Sequence, residues 1–360
     1  MKKMMVILLL AVMLVMAVGA QAQQALTPVE GVLDRAGLPF KASYPDLPAT
    51  PGVSTTTGLP FTGVFLPVMN VLDNAPSAYP HWGVGKADVI YQAPNAGAGA
   101  TKLLSLFADQ MPEAAGGVRS GRTPFVDIAA SWGAAFAYAG SPGNEVPGSV
   151  NVPQMVRDVG MKRDVTYFDL LGNNQVSERV KFETAPHNLS VKISAIQQKM
   201  KDAGVTVAPR GFLFRDDLPT NGVPAVELLV SHHGEDPKAQ SNGPSEATFT
   251  YDAASNAYTR TNSSGPYVDR DAPETPILFA NVIVLRTPFS YGANYIATNK
   301  TSGTGAADIF TGGRYIQGGW FRADQGSRYV FVDDNGEEIA LQRGKTFIIV
   351  TNEVSKLSYR

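Results

Sequence analysis

The chain has 360 residues, of which 17% are charged and 44% are hydrophobic, and its formal net charge is -2. This balance lacks the basic excess of a nucleic-acid-binding protein that neutralises phosphates. Because the chain has no cysteine, it has no disulfide, no thiolate metal site, no cysteine nucleophile and no thiol for lipid attachment. The length and apolar content predict a sizeable core and favour two domains over one.

The N-terminus has the pattern of a secretory signal peptide. Lys2 and Lys3 precede an apolar run over 4–18, and small residues then end in an A-x-A site at Ala22. The run is shorter than the roughly 20 residues of a membrane-spanning helix, so an uncleaved anchor is the weaker alternative. We expect a signal peptide over 1–22 and an extracytoplasmic protein, secreted or periplasmic, that has no membrane span once the signal is removed.

Residues 23–56 are rich in Pro, Thr and Gly without sustained periodicity, which predicts a linker. An N-terminal domain over 57–208 follows, with buried strands expected at 64–72 and 87–93. The apolar run at 101–109 is a third strand candidate, although a helical turn is the alternative.

A helix is expected to begin at the Thr-Pro pair after residue 122. Thr123 suits the N-cap, Pro124 the first helical position and Asp127 the first turns. An apolar stripe follows at i, i+3, i+4 and i+7, and Gly133 is expected to end the helix. A strand then follows near 134–140, and a further helix is expected around 191–203.

The remaining residues, 209–360, predict a second domain built from strands. Residues 247–261 have the pattern of a hairpin, and 277–287 that of a buried strand. Three runs over 328–351, joined by an Asn-Gly and an Arg-Gly turn, predict a meander. The expected fold class is α+β: a mixed α/β N-terminal domain followed by a mainly antiparallel β C-terminal domain.

The chain offers little for metal or cofactor chemistry. The histidines, His81, His187, His232 and His233, lack the spacing of a helical ligand pair. No G-x-S-x-G elbow or P-loop is present. Ser120 is a conceivable nucleophile, but no base stands beside it in the sequence. We therefore predict no metal site, no cofactor and no assigned catalytic residue.

The stretch "GGVRSGRTPF" (116–125) places Arg119 and Arg122 just before the predicted helix. A helix N-terminus favours an anion, and two guanidinium groups can grip a carboxylate or phosphate. The alternative is internal pairing, in which Asp73, Asp88 or Glu183 neutralises the arginines. Spacing alone does not decide between these two interpretations.

Two further stretches carry polar side chains at constrained positions. In "APHN" (185–188), a proline restrains the backbone ahead of His187 and Asn188. In "LDNAP", Asp73 and Asn74 end a buried strand, a position from which side chains often enter a cleft.

Taken together, these stretches resemble the YerB-like bacterial family. "VMNVLDNAPSAYPHWGVGKADVIYQAP", "ATKLLSLFADQMPEAAGGVRSGRTPFVDIA", "AYAGSP" and "TAPHNLSV" are similar to its N-terminal domain. "TYDAASNAYTR", "ANVIVLRT", "GGWFR" and "DDNGEEIALQRGKTFIIV" are similar to its C-terminal domain. The resemblance implies an extracytoplasmic two-domain envelope protein, often a lipoprotein, of undefined biochemical function.

The chain departs from the family pattern in ways that affect function. The lipidated cysteine is absent, Gln92 stands where the family has an acidic residue, and "FAYAGSP" lacks the family's histidine. The change to Gln92 and the loss of the histidine each remove a plausible acid/base group. The remaining candidate ligand-binding residues are Asp73, Asn74, Arg119, Ser120, Arg122, His187 and Asn188.

Three functional hypotheses follow. The favoured one is noncatalytic binding of an anionic small molecule or envelope component by the Arg-rich helix N-terminus. The second is a cell-envelope hydrolase that uses Asp73 or His187 as its base. In the third, these residues are structural, and the protein is a scaffold or interaction module that contacts other envelope proteins.

Overall fold

The structure, a computed structural model, describes residues 25–47, 49–96, 100–142, 150–232, 246–291, 296–299, 301–353 and 355–360. The predicted signal peptide over 1–22 lies outside these residues. No helix in the described ranges is both long and apolar enough to cross a membrane.

Three α-helices lie in the described part of the chain: α1 (Thr123–Trp132), α2 (Val152–Asp158) and α3 (Ile193–Asp202). Helix α1 ends at Gly133, which has a φ of 61° and donates its N–H to carbonyls of the last turn. Two details of its predicted start are wrong. The N-cap is Arg122 rather than Thr123, and Asp127, which was expected to favour the helix from its first turns, lies beyond the first turn and is buried against Arg322. The carboxylate of Asp127 therefore pairs with Arg322, a cation far away in sequence, and this contact outweighs any interaction of the carboxylate with the helix dipole.

The strands of the first part of the chain are β1 (Thr27–Val29), β2 (Val68–Asp73), β3 (Val89–Pro94), β4 (Thr101–Phe107), β5 (Ala115–Gly116), β6 (Ala135–Tyr138), β7 (Tyr167–Asp169), β8 (Ser177–Arg179), β9 (Leu189–Val191), β10 (Phe214–Arg215), β11 (Val223–Pro224), β12 (Glu227–Ser231) and β13 (Glu246–Asp252). Those of the second part are β14 (Ala257–Asn262), β15 (Gly265–Pro266), β16 (Val268–Asp269), β17 (Ala272–Pro276), β18 (Leu278–Phe279), β19 (Asn281–Arg286), β20 (Phe289–Tyr291), β21 (Ala297–Asn299), β22 (Gly303–Thr311), β23 (Arg314–Arg322), β24 (Val330–Val332), β25 (Leu341–Gln342), β26 (Thr346–Thr351) and β27 (Lys356–Tyr359). The expected strands at 64–72, 87–93, 101–109 and 134–140 correspond to β2, β3, β4 and β6.

One large sheet joins the two parts of the sequence. Its order is β11-β23-β22-β19-β26-β3-β4-β2-β6-β7, with β24 added beside β23. Strand β26 inserts between β19 and β3 and runs parallel to both. The predicted meander over 328–351 is therefore wrong, because β26 is buried along its whole length and pairs with strands distant in sequence.

A second, antiparallel sheet packs on the first. Its order is β1-β27-β12-β13-β14-β15, with β18 beside β14. Phe249 and Phe279 of this sheet pack on Phe347 of the large sheet, with ring centroids 5.2 and 5.1 Å apart. The described chain is thus largely β, and helices α1–α3 all lie within 123–202. The α+β expectation holds only in this coarse form.

Part of the predicted linker belongs to the fold. Strand β1 pairs antiparallel with β27, and the N–H of Ala306 donates to the carbonyl of Leu33 at 2.9 Å. Ser54 is buried and donates to the carboxylate of Asp109 at 2.8 Å. The sequence predicts a linker here because the segment has no apolar periodicity. Strand pairing at a sheet edge and hydrogen bonds nevertheless attach it to the rest of the fold.

Three chain segments meet at the end of β2. The N–H of Asp73 donates to the carbonyl of Gly117 at 3.2 Å, and the N–H of Val118 donates to the carbonyl of Leu189 at 2.8 Å. A Cβ on Gly117 would lie 1.9 Å from the carbonyl oxygen of His187, so this close approach requires glycine. The "GGVRSGR" stretch therefore lies between the end of β2 and the loop that carries His187.

Candidate functional site

Asp73 is the centre of a cluster of cationic side chains. Its side chain is only 4% exposed, and its carboxylate pairs with the ammonium group of Lys102 and with Nε of Arg119 at 2.8 Å. Nδ1 of His187 lies 3.2 Å from the second carboxylate oxygen. The pairing with Lys102 follows from strand register, since the two residues are directly opposite on β2 and β4. Of the two arginines in the motif, Arg119 is thus the one that is paired internally.

The electrostatics of this cluster keep Asp73 ionised. Burial raises the pKa of Asp73, but the charge and hydrogen bond of Lys102, followed by the charges of Arg119 and His187, outweigh burial and hold that pKa below its usual range. Burial lowers the pKa of Lys102, against the opposing effect of Asp73. A carboxylate held in this way is a poor general base, which weakens the role that the hydrolase hypothesis gives to Asp73.

His187 connects the buried carboxylate to an exposed serine. Its Nε2 lies 3.0 Å from the hydroxyl oxygen of Ser77, while its Nδ1 faces Asp73. The Nδ1 contact is close, but the ring N–H is not aligned as a hydrogen bond, and Nδ1 has no hydrogen-bond partner in the described chain. Ser77 lies in the short 3₁₀ helix Pro76–Ala78 that follows β2.

Arg122 differs from Arg119 in having no carboxylate partner among the described residues. Its NH1 donates to the carbonyl of Gly121 at 2.8 Å, and its buried Nε makes no hydrogen bond to any residue that the structure describes. Burial, and then the charge of Arg119, lower the pKa of Arg122 to about 10. A partly buried cation without a counter-charge is unfavourable. The remaining carboxylates that were considered as partners lie elsewhere: Asp88 accepts backbone N–H groups of Ala108 and Asp109, and Glu183 contacts Arg270.

The two motif arginines line one open cleft of about 480 Å³. Arg179 also lines it, as does Ser120, and the apolar part of the wall includes Leu171. Pro142, Pro186 and Leu189 contribute further apolar surface. The cleft thus presents three guanidinium groups beside an apolar wall.

The remaining predicted residues divide between the cleft and the interior. The side-chain oxygen of Asn188 accepts a hydrogen bond from Arg179 at 2.7 Å, which orients that arginine. Asn74 points inward and donates to the hydroxyl of Thr101 at 2.7 Å. The structure therefore brings Asp73, Arg119 and His187 into direct contact, while Asn74 lies behind them. No group of three or more potential metal-ligating side chains occurs in the described chain.

Gln92 faces a buried cation. NH2 of Arg260 donates to its side-chain oxygen at 3.3 Å, and Arg260 is 0% exposed. The guanidinium group also lies 5.2 Å from the ring centroids of Tyr267 and Phe347. The family pattern has an acidic residue where this chain has Gln92, and an acid at this position would lie beside Arg260.

The sequence did not identify three residues of the site: Ser77, Lys102 and Arg179. Lys102 reaches Asp73 only through the register of β2 with β4. Ser77 and Arg179 reach the site through contacts with His187 and Asn188, which are 110 and 9 positions away. No local motif marks any of the three.

Comparisons with known proteins agree with one another over most of the chain. Residues 57–206 match the family model "Protein of unknown function (DUF3048) N-terminal domain", and residues 238–348 match the model for its C-terminal domain. The "Putative lipoprotein YerB" of Bacillus subtilis is 25% identical over 300 residues, which cover 81% of this chain and 83% of that protein. The crystal structure of the Bacillus subtilis YerB protein superposes with a TM-score of 0.69 at 23% identity, covering 85% of this chain and 99% of that one, and so shares the fold. The chain therefore belongs to the two-part, YerB-like DUF3048 family of proteins of unknown function.

Proposed function

We propose that this protein binds an anionic group in the arginine-lined cleft. The observation that carries the proposal is Arg122, whose partly buried guanidinium group lacks a carboxylate partner within the described residues. An incoming carboxylate or phosphate would supply the missing charge and accept hydrogen bonds from a planar, bidentate donor.

The other residues of the cleft have distinct roles in this proposal. Arg119 lines the cleft while its Nε stays on Asp73, so Asp73 holds that guanidinium group in place. Asn188 orients Arg179 in the same way. Ser120 provides a hydroxyl group at the cleft wall. His187 contacts the same carboxylate oxygen of Asp73 as Arg119 does. Asn74 supports the end of β2 from the interior.

The ligand is expected to combine negative charge with apolar surface. Leu171, Leu189 and the two prolines form the apolar wall beside the guanidinium groups. The related Bacillus subtilis protein is named a lipoprotein, and the N-terminal sequence pattern here predicts export. We therefore place the protein outside the cytoplasm, secreted or periplasmic, with an anionic small molecule or cell-envelope component as its ligand.

Calorimetric titration with inorganic phosphate and with acetate, at low ionic strength, tests the proposal. The parent protein is expected to bind at least one probe at a single site in the millimolar range or tighter. Arg122→Met removes the charge-assisted hydrogen bonds, which should weaken binding by about 10- to 100-fold. The matched control is Arg157→Met, because Arg157 is an exposed arginine on α2 that does not line the cleft.

Two results would contradict the proposal. One is a titration in which Arg122→Met binds as tightly as the parent. The other is the absence of binding by either probe to a parent protein shown to be folded.

A further inference from the structure

Three side chains of the site, Ser77, His187 and Asp73, are arranged as a relay that the proposed anion binding does not require. Ser77 Oγ lies 3.0 Å from Nε2 of His187, and Nδ1 of the same ring lies 3.2 Å from a carboxylate oxygen of Asp73. A hydroxyl group, an imidazole and a carboxylate in this order are the components of an activated serine nucleophile.

The exposure of the three groups follows the same order. Ser77 is exposed, whereas the side chain of His187 is 13% exposed and that of Asp73 is 4% exposed. A nucleophile must reach the substrate, and its base must be oriented by a group that is itself held firmly. Strand β2 and the charges of Lys102 and Arg119 hold Asp73, and the loop between β8 and β9 supplies His187.

We propose that Ser77 is the nucleophile of an acyl-transfer site that hydrolyses esters, with His187 as the base and Asp73 as the residue that positions it. Ser77 Oγ bonds to the acyl carbon, and its proton passes to Nε2 of His187. The bond from the acyl carbon to the alcohol oxygen breaks, and the departing alcohol takes that proton. Water then attacks the acyl-serine ester, gives a proton to Nε2, and Ser77 recovers it as the carboxylic acid leaves.

The surrounding charges suit this chemistry. Asp73 carries one negative charge and contacts two cations, Lys102 and Arg119, so the cluster is positive before His187 is counted. Positive surroundings stabilise the negative charge that develops on the acyl oxygen in the transition state. The Nδ1 contact with Asp73 is close but unaligned, and catalytic hydrogen bonds are often poorly aligned in the absence of substrate.

The first test uses a fluorophosphonate probe, which forms a stable covalent bond with activated serines. Intact-mass and peptide mass spectrometry then count and locate the adducts. We expect one adduct on the parent protein, located at Ser77, and none on Ser77→Ala. His187→Gln should slow labelling at least tenfold. Ser255 provides the matched control, because it is exposed and its hydroxyl donates a hydrogen bond to the Asp252 carboxylate, but no histidine among the described residues contacts it.

The second test uses the fact that the chain has no cysteine. Ser77→Cys introduces a single thiol, whose alkylation by iodoacetamide should be at least tenfold faster at neutral pH than that of Ser255→Cys. His187→Gln in the Ser77→Cys background should remove most of this difference.

The proposal requires both results. It is overturned if the fluorophosphonate labels Ser77 no faster than Ser255, or if His187→Gln leaves both rates unchanged. Since neither test measures anion binding, the outcome is separate from that of the titrations at Arg122.

Discussion

Replacing Arg122 with methionine should leave the ligand-free protein at least as stable as the parent. Burial and the neighbouring charge of Arg119 lower the pKa of Arg122 to about 10, so its charged form is disfavoured by roughly 3 kcal/mol relative to an arginine in water. Partial exposure of the side chain screens this effect, and we expect about 1–2 kcal/mol of gained stability from Arg122→Met. Methionine keeps the unbranched apolar stem in place.

Urea denaturation in a buffer without phosphate or carboxylate ions measures this difference directly. Arg119→Met should move in the opposite direction, because it removes one of the cations from buried Asp73. Added phosphate should stabilise the parent by about 1.4 kcal/mol at ten times its dissociation constant, and Arg122→Met by at most about 0.4 kcal/mol at the same phosphate concentration. If Arg122→Met instead lost more than about 1 kcal/mol in the ligand-free buffer, the guanidinium group would be satisfied internally and the reasoning would be refuted.

Three further predictions concern the buried charges. Asp73→Asn removes the buried carboxylate that pairs with two partly buried cations, Lys102 and Arg119, and should lower the free energy of unfolding by about 3 kcal/mol in urea titrations; a change below about 1 kcal/mol would contradict this. Gln92→Glu places a carboxylate before Arg260 and should add about 1–2 kcal/mol at pH 7. Because Arg260 would hold the folded-state pKa of that carboxylate below its unfolded value, the gain should disappear in acid denaturation series; an unchanged stability at pH 7 would refute it. Burial, then the charge of Asp109, raise the pKa of Asp88 to about 7. Since the folded state then binds more protons than the unfolded state between about pH 4 and 7, this residue makes stability fall as pH rises through that window; Asp88→Asn should flatten the profile, and an unaltered slope would count against it.

Elements with local signals could be predicted from the sequence. Helix α1 has Pro124 in its first turn and Gly133 after its end, and both act within a few residues. Strands β2, β3 and β4 are continuous apolar runs bounded by turn residues, and their predicted positions agree with the structure to within a few residues. The pairing of β26 could not be predicted, because the sequence of an apolar strand does not specify which strands it pairs with. Three short strands joined by tight turns predict a meander instead.

The candidate site shows the same division. Asp73, Arg119 and His187 were proposed from motif stretches, and the structure brings them together. Lys102 had no marker, since its partner depends on the register of two strands. The sequence around Ser77 indicates only a turn. Its contact with His187 exists because the loop that carries His187 packs against this turn.

The sequence by itself determined the residue types available for function and the local elements that carry them: arginines ahead of a helix, a carboxylate at a strand end and a histidine after a proline. Only the tertiary structure decided which of the two motif arginines pairs with Asp73. Arg119 and Arg122 are three positions apart with the same chemistry, yet the end of β2 delivers its carboxylate to one of them alone. Charge pairing depends on distances between distant segments, and those distances follow from sheet register and loop packing rather than from any local pattern.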